Sequence, residues 1–395
     1  SELSGETTYK YGTEDREVIR IEREIKVKGD DAVTVVVERT HHGPVILRSR
    51  VGNALYSVQS SFWNRELGSL VALFDLYKAT SPQEINRAIG RASVTFNFFY
   101  ATVEGDIGYR YAGLVPFRAK GYDPRFPMPS RPDTAWQGFV SAGQMPHVQN
   151  PASGMIANWN NKPAAWWPNL DTPAWGSLFR NEVLLNALPD GKIGRYDLER
   201  AAWEIARRET SSNGAFMDEF GAVLSADAAL GSTSELNQYL EPFEGWNVEG
   251  SVGALIYSRA VSQLRTALFK QHTGTMIQPA IFSTVVQPSV IKKALRGETK
   301  FDYLAGRSAT EIVRESMNNA LADLKDDFGD NPAAWSFSAG GIGVPNQKFI
   351  PYANRGTYIQ ITELAGVPVA RSVASPGVSE VGEHAFDQVP LARSW

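Results

Sequence analysis

Residues 18–37 read VIRIEREIKVKGDDAVTVVV, and this stretch decides how the chain begins to fold. In its first half, Ile19, Ile21 and Ile25 alternate with charged residues, which is the period of a β-strand with one apolar face. A Gly-Asp-Asp turn follows, and the β-branched run at 33–37 returns as a second strand. The stretch therefore predicts an antiparallel β-hairpin.

Outward from this hairpin, the apolar period changes twice along the chain. Further strands are predicted at 45–47, 54–58, 95–102, 107–111, 357–361 and 368–373. Helical spacing of apolar residues is found at 67–78, 182–188, 196–208, 252–270 and 312–328, and a capping box at Ser81–Glu84 begins another helix. Strand-rich ends around a helical middle predict an α+β fold rather than an alternating parallel sheet.

Two segments lack such a period. Residues 1–17 are polar and are predicted to form an extended, exposed, mobile lead-in. Residues 121–156 are rich in Pro and Gly and are predicted to form a long structured loop, whose length suggests a function.

Composition excludes several classes of protein. The chain has 395 residues with 39 Lys and Arg against 43 Asp and Glu, a net charge of −4, and no basic block, so no nucleic acid or anionic membrane is an expected partner. No apolar run reaches about 18 residues, and no leader opens the chain, so any targeting signal has been removed or lies upstream. Cysteine is absent and the five histidines are scattered, which excludes a thiol nucleophile and disfavours a histidine metal site or triad.

A series of segments, taken in chain order, resembles the β chain of the penicillin acylase family. The segments are RTHHGPV (39–45), NFFY (97–100), GDIGY (105–109), GYDPR (121–125), MIANWNN (155–161), NRGT (354–357) and SPG (375–377). Each is short, so their order and spacing carry the resemblance. It implies that residues 1–395 are a partial β chain of an N-terminal-nucleophile hydrolase with an αββα sandwich, strand-rich over 18–160 and 355–395 and helical over 180–330.

For function, the resemblance implies hydrolysis of the amide bond of small N-acyl compounds, such as β-lactam side chains, acyl-homoserine lactones or N-acyl amino acids. It places the protein among periplasmic or secreted hydrolases made as zymogens and linked to antibiotic biosynthesis or resistance. The family's nucleophile is an N-terminal Ser freed by self-cleavage, with its own α-amine as base. Here the chain begins Ser1-Glu2, where the family has Ser-Asn. The nucleophile segment is therefore expected to be missing, Ser1 is not expected to replace it, and the chain alone is expected to be inactive. The expected partners are the α chain and the missing N-terminal part of the β chain.

Two polar residues are the catalytic candidates that the resemblance implies. In the family motif matched by residues 157–161 the second Asn donates a hydrogen bond to the oxyanion, which assigns that role to Asn160. A neutral, directional amide suits this task. Arg180 matches the Arg that orients this Asn.

The remaining site predictions concern binding. Leu73 and Phe96 lie in segments that resemble those lining the acyl pocket. No cofactor is required, but the family commonly binds a structural calcium ion, and Pro124 and Asp171 match two of its ligands. Trp159, Trp166, Trp167 and Trp175 could form a pocket wall, although core packing is favoured. His42 is interpreted as a satisfied polar residue at a strand end.

Two other classes of function stay open on the sequence. One is a non-catalytic protein that only binds or scaffolds. The other is a serine enzyme of the penicillin-recognising type, because Ser289-Val290-Ile291-Lys292 has the SxxK pattern and Ser211-Ser212-Asn213 vaguely resembles the second motif. The third motif, Lys-Thr/Ser-Gly, is absent from the sequence.

Overall fold

The computed structural model describes residues 1–49, 51–123, 126–168, 175, 178–208, 213–226, 237–273, 286–339, 341–342, 350–351, 358–374, 377, 382–384 and 387–388. Strands and helices both occur throughout, so the predicted α+β class is confirmed. The chain divides into two compact units, one of residues 1–156 and 160–176, the other of residues 157–159 and 177–395.

The first unit combines strands with two helices. Its elements, in chain order, are β1 (Thr8–Tyr11), β2 (Glu14–Glu17), β3 (Ile19–Ile25), β4 (Val33–Thr40), β5 (Gly43–Ser49), β6 (Ala54–Ser57), α1 (Leu67–Lys78), α2 (Pro82–Ile89), β7 (Phe96–Ala101), β8 (Ile107–Ala112) and β9 (His147–Gln149). Short 3₁₀ turns lie at Pro132–Thr134 and Ala142–Gln144.

The predicted hairpin is formed by β3 and β4, which pair antiparallel with Ile21 opposite Val37 and Ile25 opposite Val33. The pair continues into a four-stranded sheet of order β3-β4-β5-β6. Because residues on one face of a strand recur every second position, this register gathers most of the apolar residues of both strands on one face, with Val36 on the other. That face is open: Ile25 and Val33 are 50% and 52% exposed.

The lead-in at residues 1–17 is largely exposed, as predicted, but it is paired with neighbouring strands and does not form a free terminus. β1 and β2 form a hairpin, and Ser1 exchanges backbone hydrogen bonds with Leu55, at 2.8 Å and 2.7 Å. The reason is a small core in which buried Tyr9 packs with Val18 and Leu55. A few apolar side chains are therefore enough to pack this segment against Leu55 of β6, although most of its residues are polar.

A second layer is built from α1, α2 and the sheet β7-β8-β9. The structure gives α1 the predicted bounds. At the start of α2, the Ser81 hydroxyl accepts a hydrogen bond from the Glu84 amide at 3.3 Å, as a capping box requires. The Glu84 carboxylate, however, accepts from the amide of Thr80 at 2.8 Å. β9 lies in the region predicted to be a loop.

The second unit is mainly helical. Its elements are α3 (Leu178–Asn186), α4 (Arg195–Arg207), α5 (Met217–Ala226), α6 (Asn237–Leu240), α7 (Val252–Thr273), α8 (Pro288–Leu295), α9 (Ala309–Phe328), β10 (Gly341–Ile342), β11 (Ile350–Pro351), β12 (Tyr358–Glu363) and β13 (Val369–Ala374).

Its core lies where α7 packs on α9. Leu264 and Leu268 on α7 and Met317 and Leu324 on α9 are completely buried, as expected for apolar residues at i, i+4 and i+7 spacing. β12 and β13 form an antiparallel pair, as do β10 and β11. Among the described helices, none combines the length and apolar character needed to cross a bilayer.

Candidate functional site

Asn160 lies in an exposed loop of the first unit with a left-handed backbone, φ 55°. Asn tolerates this conformation better than most residues, since its short polar side chain can bond locally. The next residue, Asn161, donates from its side chain to the carbonyl of Lys162 at 3.2 Å, which fixes the turn. Asn160 is therefore an exposed loop residue, and its role as an oxyanion donor stays a prediction.

The residue predicted to orient Asn160 falls in the other unit. Arg180 lies in the first turn of α3, and its side chain is outside the described residues. Pro124 and Asp171, the two predicted calcium ligands, are also outside them. Among the described residues, no group of three or more Asp, Glu or His side chains could hold a metal ion. The orienting role and the calcium site both stay predictions.

Leu73 and Phe96, the predicted acyl-pocket residues, belong to α1 and β7. These two elements meet in one apolar cluster, which contains Ala72 of α1 and Phe98 of β7. Leu73 and Phe96 themselves lie at its margin and are exposed. The ring of Phe96 contacts Phe98 edge to face, with centroids 6.2 Å apart. Both side chains are thus accessible to solvent, and their role in an acyl pocket stays a prediction.

The tryptophans divide between core and surface. Trp167 is buried and packs with Tyr111 and Trp175 in a cluster below β8. Trp166 is exposed and touches Trp167 edge to face. Core packing is confirmed for Trp167, whereas Trp166 presents an aromatic surface.

A cavity of about 530 Å³, formed by described residues, lies in the first unit beside His42. His42 occupies the turn between β4 and β5, and both of its ring nitrogens have partners: Nδ1 lies 3.2 Å from Gln59 Oε1, and Nε2 lies 2.9 Å from Ser130 Oγ. The interpretation of His42 as a satisfied polar residue is confirmed. Ser130 lies in the loop predicted at 121–156, but no motif in the sequence indicates this residue or the cavity.

The structure argues against the SxxK interpretation, because the lysine that would act as the base is paired with a carboxylate. Ser289 and Lys292 lie on α8, but Lys292 Nζ donates to Glu219 Oε1 at 2.5 Å and lies 5.1 Å from the ring centre of Phe216. A lysine held as an ammonium ion by a carboxylate is not available to take a proton from a serine. Lys292 also lines a cavity of about 290 Å³ whose other charged residues form further ion pairs. Of the second motif, Ser211 and Ser212 lie outside the described residues.

Comparison with known proteins agrees with this fold. The family model described as penicillin amidase matches residues 2–348. Penicillin G acylase of Escherichia coli is 26% identical over 416 residues, which is 92% of this chain and 48% of the relative. The chain thus spans about half the length of the curated relative that it matches.

The fold has a close counterpart among solved structures. A thermostable penicillin G acylase from Alcaligenes faecalis superposes with a TM-score of 0.75 at 22% identity, covering 98% of this chain and 79% of that one. The likeness shows the fold, an N-terminal-nucleophile hydrolase fold with both helices and sheets. The match of the family model over most of the sequence shows more than the fold: the chain belongs to the penicillin amidase family.

Proposed function

We propose that this chain is part of an amidohydrolase that cleaves the amide bond of small N-acyl compounds, such as a β-lactam side chain, an acyl-homoserine lactone or an N-acyl amino acid. The nucleophile is an N-terminal Ser in a part of the protein outside these 395 residues. Family membership supports the reaction class, and the match to half of a longer relative supports a nucleophile located elsewhere.

The proposal rests mainly on Asn160 and the motif in which it lies. When a nucleophile attacks an amide, negative charge develops on the carbonyl oxygen, and a preorganised donor stabilises it. Asn160 has the residue type and the motif for this role, and its left-handed turn on an exposed loop keeps the amide at the surface. Arg180, in the first turn of α3, is proposed to orient it.

The acyl group is proposed to rest on the apolar wall that includes Leu73 and Phe96. An apolar wall selects acyl groups by shape, and one methylene changes binding by about 1–3 kcal/mol. No cofactor is needed for this chemistry; a calcium ion near Pro124 and Asp171 is proposed only as a structural element. A periplasmic or secreted location is proposed from the resemblance to periplasmic or secreted hydrolases.

The exposed apolar faces support the proposed partners, which are the α chain and the missing part of the β chain. Leu67, Leu70, Phe74 and Tyr77 of α1 are all exposed, although the helix is rich in apolar residues. A soluble monomer rarely leaves a contiguous apolar surface of this kind uncovered. The remainder of the precursor is proposed to cover it.

The test uses the full-length protein and a panel of p-nitroanilides that differ in the acyl group. We expect at least one small N-acyl anilide to be hydrolysed. In the variant Asn160→Asp, kcat falls by about 10²–10³-fold with little change in KM, because Asp accepts φ > 0 as Asn does but has no N–H to donate. The 395-residue chain alone is expected to show no amidase activity.

Asn53→Asp is the matched control. Asn53 also has a left-handed backbone, φ 48°, and donates to the carbonyl of Leu3 in the turn before β6. We expect it to retain wild-type kcat. Hydrolysis of esters but of no amide would contradict the proposed reaction, and an Asn160→Asp variant with most of its kcat would contradict the assignment of Asn160. A complete protein without any hydrolysis would favour the scaffold alternative.

A further inference from the structure

A chain of three polar side chains lies along the edge of the 530 Å³ cavity, whose lining includes none of the residues Asn160, Leu73 and Phe96 of the proposed amidase site. Ser130, His42 and Gln59 are joined in that order by hydrogen bonds of 2.9 Å and 3.2 Å. All three line the cavity. A hydroxyl, an imidazole and an acceptor in series have the connectivity by which a serine is activated as a nucleophile.

The acceptor decides which nitrogen of the imidazole carries the proton. The carboxamide oxygen of Gln59 can only accept, so Nδ1 of His42 is the protonated nitrogen and Nε2 has a free lone pair. Ser130 Oγ must then donate to Nε2. This is the tautomer in which an imidazole can take the proton of a serine hydroxyl.

Burial keeps the imidazole in that neutral form by lowering the pKa of His42 below its usual value. The hydrogen bond with Gln59 opposes this shift, while the N-terminal amino group and Arg16 act in the same direction as burial. The ring of His41 lies beside it at an interplanar angle of 39°, with the centroids 3.8 Å apart. At neutral pH the group facing Ser130 is therefore a base.

The backbone around His42 is fixed. The amide of His42 donates to Thr40 Oγ1 at 3.2 Å. Gly43 has φ 142°, and a Cβ at this position would lie 2.0 Å from the carbonyl oxygen of Val58. Across the cavity, Thr134 Oγ1 donates to the carbonyl of Pro129 at 2.6 Å and steadies the segment that carries Ser130. These contacts hold His42 and the segment of Ser130 in place, so the two residues are preorganised for proton transfer.

The rest of the cavity indicates what could bind beside Ser130. Phe126, Met128 and Trp136 supply an apolar and partly aromatic lining. Arg118 also lines it, with its guanidinium 5.6 Å from the ring centre of Trp136. Ser1 with its N-terminal amino group and Glu2 line the cavity as well. An apolar and aromatic surface beside the positive charge of Arg118 suits a small apolar or aryl ester whose carbonyl oxygen becomes negative during attack.

We propose that Ser130 is a second nucleophile of this protein, activated by His42 and positioned through Gln59, and that it cleaves small aryl esters in this cavity. Ser130 Oγ attacks the ester carbonyl while its proton passes to His42 Nε2. The C–O bond to the leaving phenol then breaks, and the proton moves from Nε2 to the phenolate oxygen. Water, deprotonated by the same nitrogen, hydrolyses the acyl-Ser130 ester and regenerates the hydroxyl.

The experiment treats the 395-residue chain with a fluorophosphonate probe and maps the adduct by peptide mass spectrometry. We expect one adduct, on Ser130, and turnover of p-nitrophenyl acetate at a rate that falls with probe occupancy. Ser130→Ala abolishes both. Ser60→Ala, a half-buried serine in the segment next to Gln59, is the matched control and leaves both unchanged. An adduct on Ser1, or no adduct, overturns the proposal.

Two further variants separate catalysis from a structural latch between His42 and the segment of Ser130. His42→Asn keeps a polar side chain but removes the base, and we expect labelling to slow by about 100-fold or more. Gln59→Glu places a carboxylate beside Nδ1, which stabilises the imidazolium, so labelling is faster than in the wild type, whereas Gln59→Leu is slower. Gln59 is exposed, so its variants are expected to fold even if those of His42 do not. Equal rates in Gln59→Glu, Gln59→Leu and the wild type identify a latch only and overturn the proposal.

Discussion

At the scale of single residues, Tyr9 and His41 form a contact that is sensitive to protons. The hydroxyl of Tyr9 accepts a hydrogen bond from the His41 backbone amide at 3.1 Å and lies 2.7 Å from His41 Nδ1. The hydroxyl keeps its own proton and can donate it to Nδ1 when that nitrogen is unprotonated, which is the form that a lowered pKa favours. Partial desolvation of the imidazole, although His41 is an exposed residue, lowers its pKa to about 4, and the neighbouring charges of His42 and Arg16 act in the same direction.

This contact predicts acid sensitivity in a defined window. An unfolded histidine titrates near pH 6.5. Between about pH 6.5 and 4 the unfolded chain therefore binds more protons at His41 than the folded chain, so this residue lowers the stability of the fold as pH falls through that range. Above about pH 6.5 it contributes no pH dependence. In His41→Gln we expect the free energy of unfolding in urea to fall less steeply with acid than in the wild type.

Nuclear magnetic resonance of the imidazole protons provides the direct control. The ring of His41 is expected to titrate well below pH 6.5, and Tyr9→Phe, which removes the hydroxyl donor, is expected to raise that pKa towards its usual value. A wild-type ring that titrates near pH 6.5 would contradict the prediction.

At the scale of elements, the sequence predicted the helices and strands that have a regular apolar period. It missed short strands that depend on pairing with a neighbouring strand. It placed α1 correctly, since the apolar spacing of 67–78 is local. It missed β1 and β9, because a short polar strand is stabilised by its neighbour and not by its own pattern. It identified Asn160 through a local motif, but Ser130 is 88 residues from His42, and no local pattern relates two such positions.

The start of α9 shows the same limit and offers a test. Apolar spacing predicted the helix from 312, whereas it begins at Ala309 after Ser308, whose hydroxyl accepts from the Glu311 amide at 3.2 Å. Ser308→Ala leaves that amide without its acceptor, and we expect a loss of about 0.5–2 kcal/mol in the free energy of unfolding. Ser308→Gly is the comparison, with an expected loss of only a few tenths of a kcal/mol. Chemical denaturation measures both; equal values for Ala and Gly would show that the cap does not stabilise α9.

At the scale of the whole molecule, apolar residues are distributed unevenly. The second unit buries a continuous helical core around α7 and α9, whereas the first unit divides its buried residues among three small clusters. The first unit also exposes apolar residues on α1 and on the β3–β4 hairpin. Apolar area removed from water yields about 25 cal/mol per Å². The exposed faces are therefore the part of this chain with most to gain from a partner.

This distribution predicts that the chain associates through α1 when it is alone. Leu70 and Phe74 are 52% and 65% exposed and lie one helical turn apart. The double change Leu70→Glu and Phe74→Lys removes apolar surface and adds an i, i+4 ion pair, so we expect less self-association without loss of helix. Light scattering over a range of protein concentrations, with binding of a hydrophobic dye, measures the effect.

The matched control places the same ion pair on a surface that is already polar. Asn318 and Ala322 are exposed and one turn apart on α9, so Asn318→Glu with Ala322→Lys changes charge in the same way without removing a large apolar face. We expect this control to associate as the wild type does. When the rest of the precursor is co-expressed, the wild type is expected to bind it and the α1 variant to bind it more weakly, because one apolar face serves both contacts. A wild-type chain that is monomeric at every concentration and binds no dye would show that α1 is not an interface.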